Sequence, residues 1–107
     1  MARDLRWDVI DATKSVITSR LADRGVCDVR YVAALPDVPG VSVWLVTASD
    51  AQRDVLLASR EPCIDDVRDA FAAAGWPPEQ LADVHTTAQS LETVDRDYES
   101  SWFRALR

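Results

Sequence analysis

Residues 41–48 read VSVWLVTA, and they constrain the fold more than any other stretch of the chain. The run is rich in β-branched residues and apolar at odd and even positions alike, so as a strand it has two faces that need cover. The run before it, VCDVRYVAAL from Val26, behaves differently. Cys27, Val29, Tyr31 and Ala33 fall on one face of a strand, and Asp28, Arg30 and Val32 fall on the other. Between the two lies PDVPG, in which Pro36 and Pro39 fix φ and Gly40 frees it. Together the two runs predict an antiparallel hairpin.

Helices are expected on either side of it. From about Asp4 to Arg24, Ile10, Thr13, Ile17 and Leu21 recur at steps of three and four, with Val9 and Val16 widening the stripe. Gly25 supplies the positive φ that ends a helix. A second, short helix opens at SDAQ, where Ser49 and Gln52 have the spacing of a capping box. Pro62 limits its length, because a proline inside a helix loses a hydrogen bond and clashes with the preceding turn. A third runs from about Pro62 to Ala74 with Ile64, Val67, Phe71 and Ala74 as its core stripe. Gly75, Trp76 and Pro77-Pro78 stop it. VHTTA, from Val84, alternates as a third strand, and a closing helix begins near Ser90.

The order is helix-strand-strand-helix-helix-strand-helix. A crossover connection places the third strand parallel to the second. The expected fold class is therefore α+β: a three-stranded mixed sheet, an antiparallel hairpin plus one parallel crossover strand, covered by helices. A length of 107 residues fits one domain, 1–107.

Composition narrows the function. Net charge is −6, from 18 acidic and 12 basic residues, which argues against tracking a phosphate backbone. It suits docking onto a basic partner, and the excess of Asp and Arg also fits a GC-rich coding sequence. No apolar run approaches the roughly eighteen residues of a membrane span, and MARDLRWDVI does not read as a secretory signal. A cytoplasmic protein is the expectation. Cys27 and Cys63 match neither a redox pair nor zinc-ligand spacing, and both read as small buried hydrophobes. No metal and no cofactor is expected: His85 is the single histidine, and the three glycines, at 25, 40 and 75, form no phosphate loop. A nucleophile–histidine–acid triad would have to place Cys27, Cys63 or a serine beside His85, and no catalytic residue is assigned.

The order helix-strand-strand-helix-helix-strand resembles that of the type II K-homology RNA-binding domain, which clamps RNA with a GxxG loop. The matching loop here is ASREPC, without a glycine, so the resemblance covers element order and implies no activity.

The tail from Ser90, SLETVDRDYESSWFRALR, is read as one helix. At ~100° per residue, Leu91, Val94, Tyr98, Trp102, Ala105 and Leu106 lie within about 60° of one direction. Trp102 is then a core anchor, Phe103 points elsewhere, and Asp95 sits at the stripe's flank. Glu92 and Arg96 make an i,i+4 pair.

The sheet's second face gathers Asp28, Arg30, Val32, Trp44, Val46, Asp83, His85 and Thr87. Its apolar centre with a charged rim suits protein docking, and Trp44, His85, Arg30, Val46 and Phe103 are the candidate partner-binding residues. The sequence thus points to a small acidic non-enzymatic protein-binding module, such as an antitoxin- or immunity-type protein masking a basic partner. The alternative is a small-molecule-binding protein or enzyme using Asp95, His85 and a cysteine in a pocket between the sheet and the C-terminal helix. A homodimer joined through the open sheet face is a third reading.

Overall fold

The computed structural model describes residues 5–33, 35 and 40–106. The expected helix start at Asp4 and the turn at Pro36 and Pro39 lie outside the described residues. The elements are α1 (Arg6–Arg20), β1 (Val26–Ala33), β2 (Val41–Thr47), α2 (Asp50–Leu57), α3 (Ile64–Ala74), β3 (Val84–Ser90), α4 (Leu91–Asp97) and α5 (Trp102–Ala105). Short 3₁₀ turns precede β1 at Ala22–Arg24 and β3 at Pro78–Asp83.

The strands form one sheet in the order β1-β2-β3, with β1 antiparallel and β3 parallel to β2. This is the mixed α+β sheet the sequence predicts. Its central strand is VSVWLVT, the run that is apolar on both faces, so the residues that most need cover have a strand on either side and protein above and below.

One face holds the main core. Val29, Val41, Val43, Leu45, Val84 and Ala88 pack with Ile10 and Ile17 of α1, Leu56 of α2, and Val67 and Phe71 of α3. Phe71 is the hub: its ring meets Tyr31 edge-on at 6.3 Å and Trp76 at 5.3 Å. Aromatic pairs in this geometry add about 0.5–1.5 kcal/mol each beyond burial. Trp76 reaches the core because Gly75, at φ 104°, turns the chain at the end of α3, letting the Trp76 N–H bond to the Phe71 carbonyl at 3.0 Å. Its indole N–H then finds the Gln80 carbonyl at 3.3 Å.

The start of α2 follows the sequence signal. Ser49 and Gln52 form the full capping box, an arrangement whose loss costs about 1 kcal/mol. At the N-terminus of β1 the chain departs from simple alternation. Between Val26 and Asp28 the register shifts, so Val26 is buried and Cys27 is exposed. A bulge sets one extra residue outside the ladder, and Cys27 is that residue rather than a core hydrophobe. Cys63 is half-buried.

The tail differs most. It is two helices, not one, because Glu99 and Ser100 take left-handed φ values of 51° and 63°. The break is held by the Ser100 N–H on the Val94 carbonyl (2.9 Å) and the Ser101 N–H on the Tyr98 carbonyl (2.8 Å). Ser101 then caps α5 through the Arg104 N–H. The turn rotates everything after it, so the single stripe does not exist: Leu91 is 38% exposed, and Trp102 is half-buried rather than a core anchor.

If Phe71 is the hub of the main core, Phe71→Ala should cost about 3–5 kcal/mol of unfolding free energy. Chemical denaturation with an unchanged native circular-dichroism spectrum would measure it.

Candidate functional site

The second face of the sheet is lined by Asp28, Arg30 and Val32 of β1, Ser42, Trp44 and Val46 of β2, and His85, Thr87 and Gln89 of β3, as the cross-strand register dictates. Asp83, expected here, belongs to the 3₁₀ turn ahead of β3. The tail covers part of this face. Val46, Val94 and Ala105 are buried but stand outside the main cluster. Trp102 of α5 lies under the Arg30 guanidinium, 4.9 Å from carbon to ring centroid, a contact worth about 0.5–1 kcal/mol at a partly exposed site.

Cover is incomplete. Between β1 and α5 an open cavity of about 350 Å³ is lined by Arg30, Tyr31, Val32, Trp102, Phe103 and Leu106. Phe103 is 72% exposed and Val32 43% exposed at this groove, so two large apolar side chains face water beside a cation. Arg30 is joined to Asp28 at 3.4 Å, and Asp28 to Lys14 at 3.2 Å. Burial alone would raise the Asp28 carboxyl. The Val29 N–H, Lys14 and Arg30 outweigh it and hold the group below the ordinary carboxylate range.

The five candidate partner residues therefore part company. Arg30 and Phe103 line the groove. Trp44 is half-buried in the register position opposite Arg30. Val46 is fully buried and can offer a partner no surface. His85 lies toward the other edge, exposed, with Nδ1 2.5 Å from the Glu61 carboxylate. That bond, with Arg68 4.0 Å away, holds Glu61 below its usual range. Glu61 is the hydrogen-bond partner of His85 among the described residues, so no serine or thiol is engaged by the imidazole. Burial pushes the Cys63 thiol up, which disfavours the thiolate a nucleophile needs. Asp95 is exposed and accepts a hydrogen bond from Ser100 at 2.7 Å. Asp95, His85 and the cysteines thus do not line the cavity that lies between the sheet and the C-terminal helix. Among the described residues no group of three or more His, Cys, Asp and Glu is placed to hold a metal ion. No helix among them is long and apolar enough to cross a membrane.

A second polar constellation joins the parallel strands at their C-terminal ends, where α2 and α4 both begin. The Asp50 carboxylate accepts from Ser90 Oγ, from Thr93 Oγ1 (2.7 Å) and from Arg96 Nη1 (3.0 Å). In return the Glu92 carboxylate accepts the Asp50 backbone N–H at 2.7 Å. Each helix start thus receives a carboxylate from the other, which satisfies the Asp50 amide and the hydroxyls of the buried residues Ser90 and Thr93. Arg53 closes the group through Thr93 Oγ1 (2.6 Å) and Gln89 (3.2 Å). The Ser90 and Thr93 hydroxyls, then Arg96, hold the Asp50 carboxyl far below the ordinary range. Glu92 and Arg96, expected to pair with each other, are both drawn to Asp50 instead. This end of a parallel pair is where open α/β sheets bind ligands, and here the chain's own side chains fill it.

Compared with protein-family models, with curated proteins and with solved structures, the chain matches none.

Two outcomes follow from this geometry. A carboxyl with a depressed folded-state pKa adds stability above its unfolded value, near 4, and that contribution fades as pH falls through and below it. Asp50→Asn should therefore unfold more easily than the parent at pH 7, with the gap narrowing steadily below pH 4 in denaturant titrations. The Trp44 indole N–H is buried without a hydrogen-bond partner among the described residues. Trp44→Phe removes that uncompensated donor, so its stability should stay within about 1 kcal/mol of the parent. Trp76→Phe, which strands the Gln80 carbonyl, should cost more in the same assay.

Proposed function

We propose that this chain acts by binding another protein, through the groove between β1 and α5. The observation that carries the reading is the exposed Phe103 ring beside Val32 and Leu106 at a concave surface. Large apolar side chains around such a recess, ringed by polar groups, are where interface energy concentrates. The net charge of −6 adds long-range attraction for a basic partner. An antitoxin- or immunity-type protein that masks such a partner is the specific form of the proposal. A non-enzymatic role agrees with His85 engaged by Glu61, and with a Cys63 thiol kept protonated by burial.

The second reading, a small-molecule site, has one observation in its favour: the cavity's volume falls within the range of ligand pockets. Its lining offers one charged group, Arg30, and its mouth is a surface groove.

Phe103→Ala separates a binding role from a packing one. Its ring is exposed, so the melting temperature should move by no more than about two degrees. Affinity for a partner captured from the source organism and then purified should fall at least tenfold, about 1.4 kcal/mol. Equal affinity of the variant and parent for that partner would remove the groove from the interface.

A further inference from the structure

Resting on the protein-binding reading, we infer that the groove takes its partner as an added β-strand along the outer edge of β1. The segment that fits carries a carboxylate side chain two residues from an apolar one.

The two edges of the sheet differ. Strand β3 is hemmed in at its start: Arg68 donates to the Val84 carbonyl at 2.9 Å and, in the turn before the strand, to that of Ala82 at 3.4 Å. Thr86 Oγ1 is bound to the Pro62 carbonyl at 2.7 Å, and α2, α3 and α4 all pack against β3. On the other side no strand among the described residues pairs with the outer side of β1. Its first half is guarded. The bulge at Val26–Asp28 breaks the regular spacing of its amides, and Lys14 reaches from α1 to Asp28. Bulges and lysines of this kind keep other strands away. The second half, from Arg30 onward, carries neither device.

That unguarded half is one wall of the groove; α5, with Trp102, Phe103 and Leu106, is the other. An edge strand facing a helix across an apolar recess is the arrangement by which strand addition captures extended segments: backbone amides give affinity, and alternate side chains give selectivity. Side chains two apart share a face, so Arg30 and Val32 select two positions of the incoming strand, also two apart. Opposite Val32, beside Trp102, Phe103 and Leu106, an apolar side chain fits.

Charge decides the other position. The Arg30 side chain is 42% exposed; Asp28 faces its buried Nε at 3.4 Å as an ion pair without a hydrogen bond. Its terminal nitrogens make no hydrogen bond or ion pair among the described residues. The guanidinium carbon stands over the Trp102 ring, 4.9 Å from its centroid, and that contact restrains the fork. A fixed guanidinium fork with unused donors is matched by a carboxylate, to which it can give two parallel hydrogen bonds. The carboxylate of Asp28 beside it is neutralised on its other oxygen by Lys14.

Blocked decapeptides with Leu-Thr-Glu or Glu-Thr-Leu at the centre of a Thr-rich frame test this, one for each strand direction, with Glu→Gln counterparts. Binding is followed by anisotropy and by amide shifts on the full chain. One Glu peptide should bind and move amides of residues 30–33 and 102–106. Either Glu→Gln in that peptide or Arg30→Gln in the protein, checked for an unchanged melting temperature, should weaken it at least tenfold. The two together should cost little more than one. Additive losses, or shifts elsewhere, would overturn the assignment of the carboxylate and of the edge. A dimer in sedimentation that Val32→Asp dissolves would overturn it too, placing a second copy on this edge. If no peptide binds while Phe103→Ala still weakens the captured partner, strand addition is wrong and the groove reading stands. If Phe103→Ala has no effect there, the groove reading itself has failed.

Discussion

Everything in this fold is arranged around a strand that cannot have either face in water. Val41, Val43 and Leu45 fill one side of β2, Trp44 and Val46 the other. Burying apolar surface on one side of a strand is met by a single layer of helices; burying it on both requires a second layer. The chain covers the two faces unequally. It builds one layer of α1, α2 and α3 around Phe71. For the other it uses α4 and the four-residue α5, and that thinner layer leaves the recess at Val32 and Phe103.

The thin layer must be anchored, and Asp50 with its partners does this. The two helices that follow the parallel strands exchange carboxylates at their first turns, so α4 is fixed to α2 before the chain turns at Glu99 and Ser100. The fixed position of α4 in turn sets where α5 can reach. A group of polar contacts at one end of the sheet thereby determines the shape of an apolar recess on its face.

What could be read from the sequence was local. The capping box at Ser49, the stop at Gly75 and the alternation of β3 each depend on residues a few positions apart, and each is found as expected. The mixed sheet followed because the order of elements permits few connections. The break in the tail was hidden: residues 90–106 contain no Gly or Pro, and the left-handed turn is made by Glu and Ser. The one local sign was Ser101, a helix-starting residue directly before Trp102. Asp50 was invisible as a hub because Ser90, Thr93 and Arg96 lie forty or more positions away. Cys27 could not be placed, since a bulge shifts alternation by one residue and leaves no mark in composition. Of the candidate surface, Arg30 and Phe103 could be picked out from strand phase and helix angle. That they face one recess depended on the unforeseen turn.

The late position of the second layer matters while the protein is being made. β2 is complete by residue 47, but Val94 and Ala105, buried outside the main core, come some fifty residues afterwards. On the ribosome, Trp44 and Val46 wait uncovered through the synthesis of three helices and a strand. During that interval they are open to chaperones and to other nascent chains, an exposure common to folds that finish late. A net charge of −6 favours keeping like chains apart.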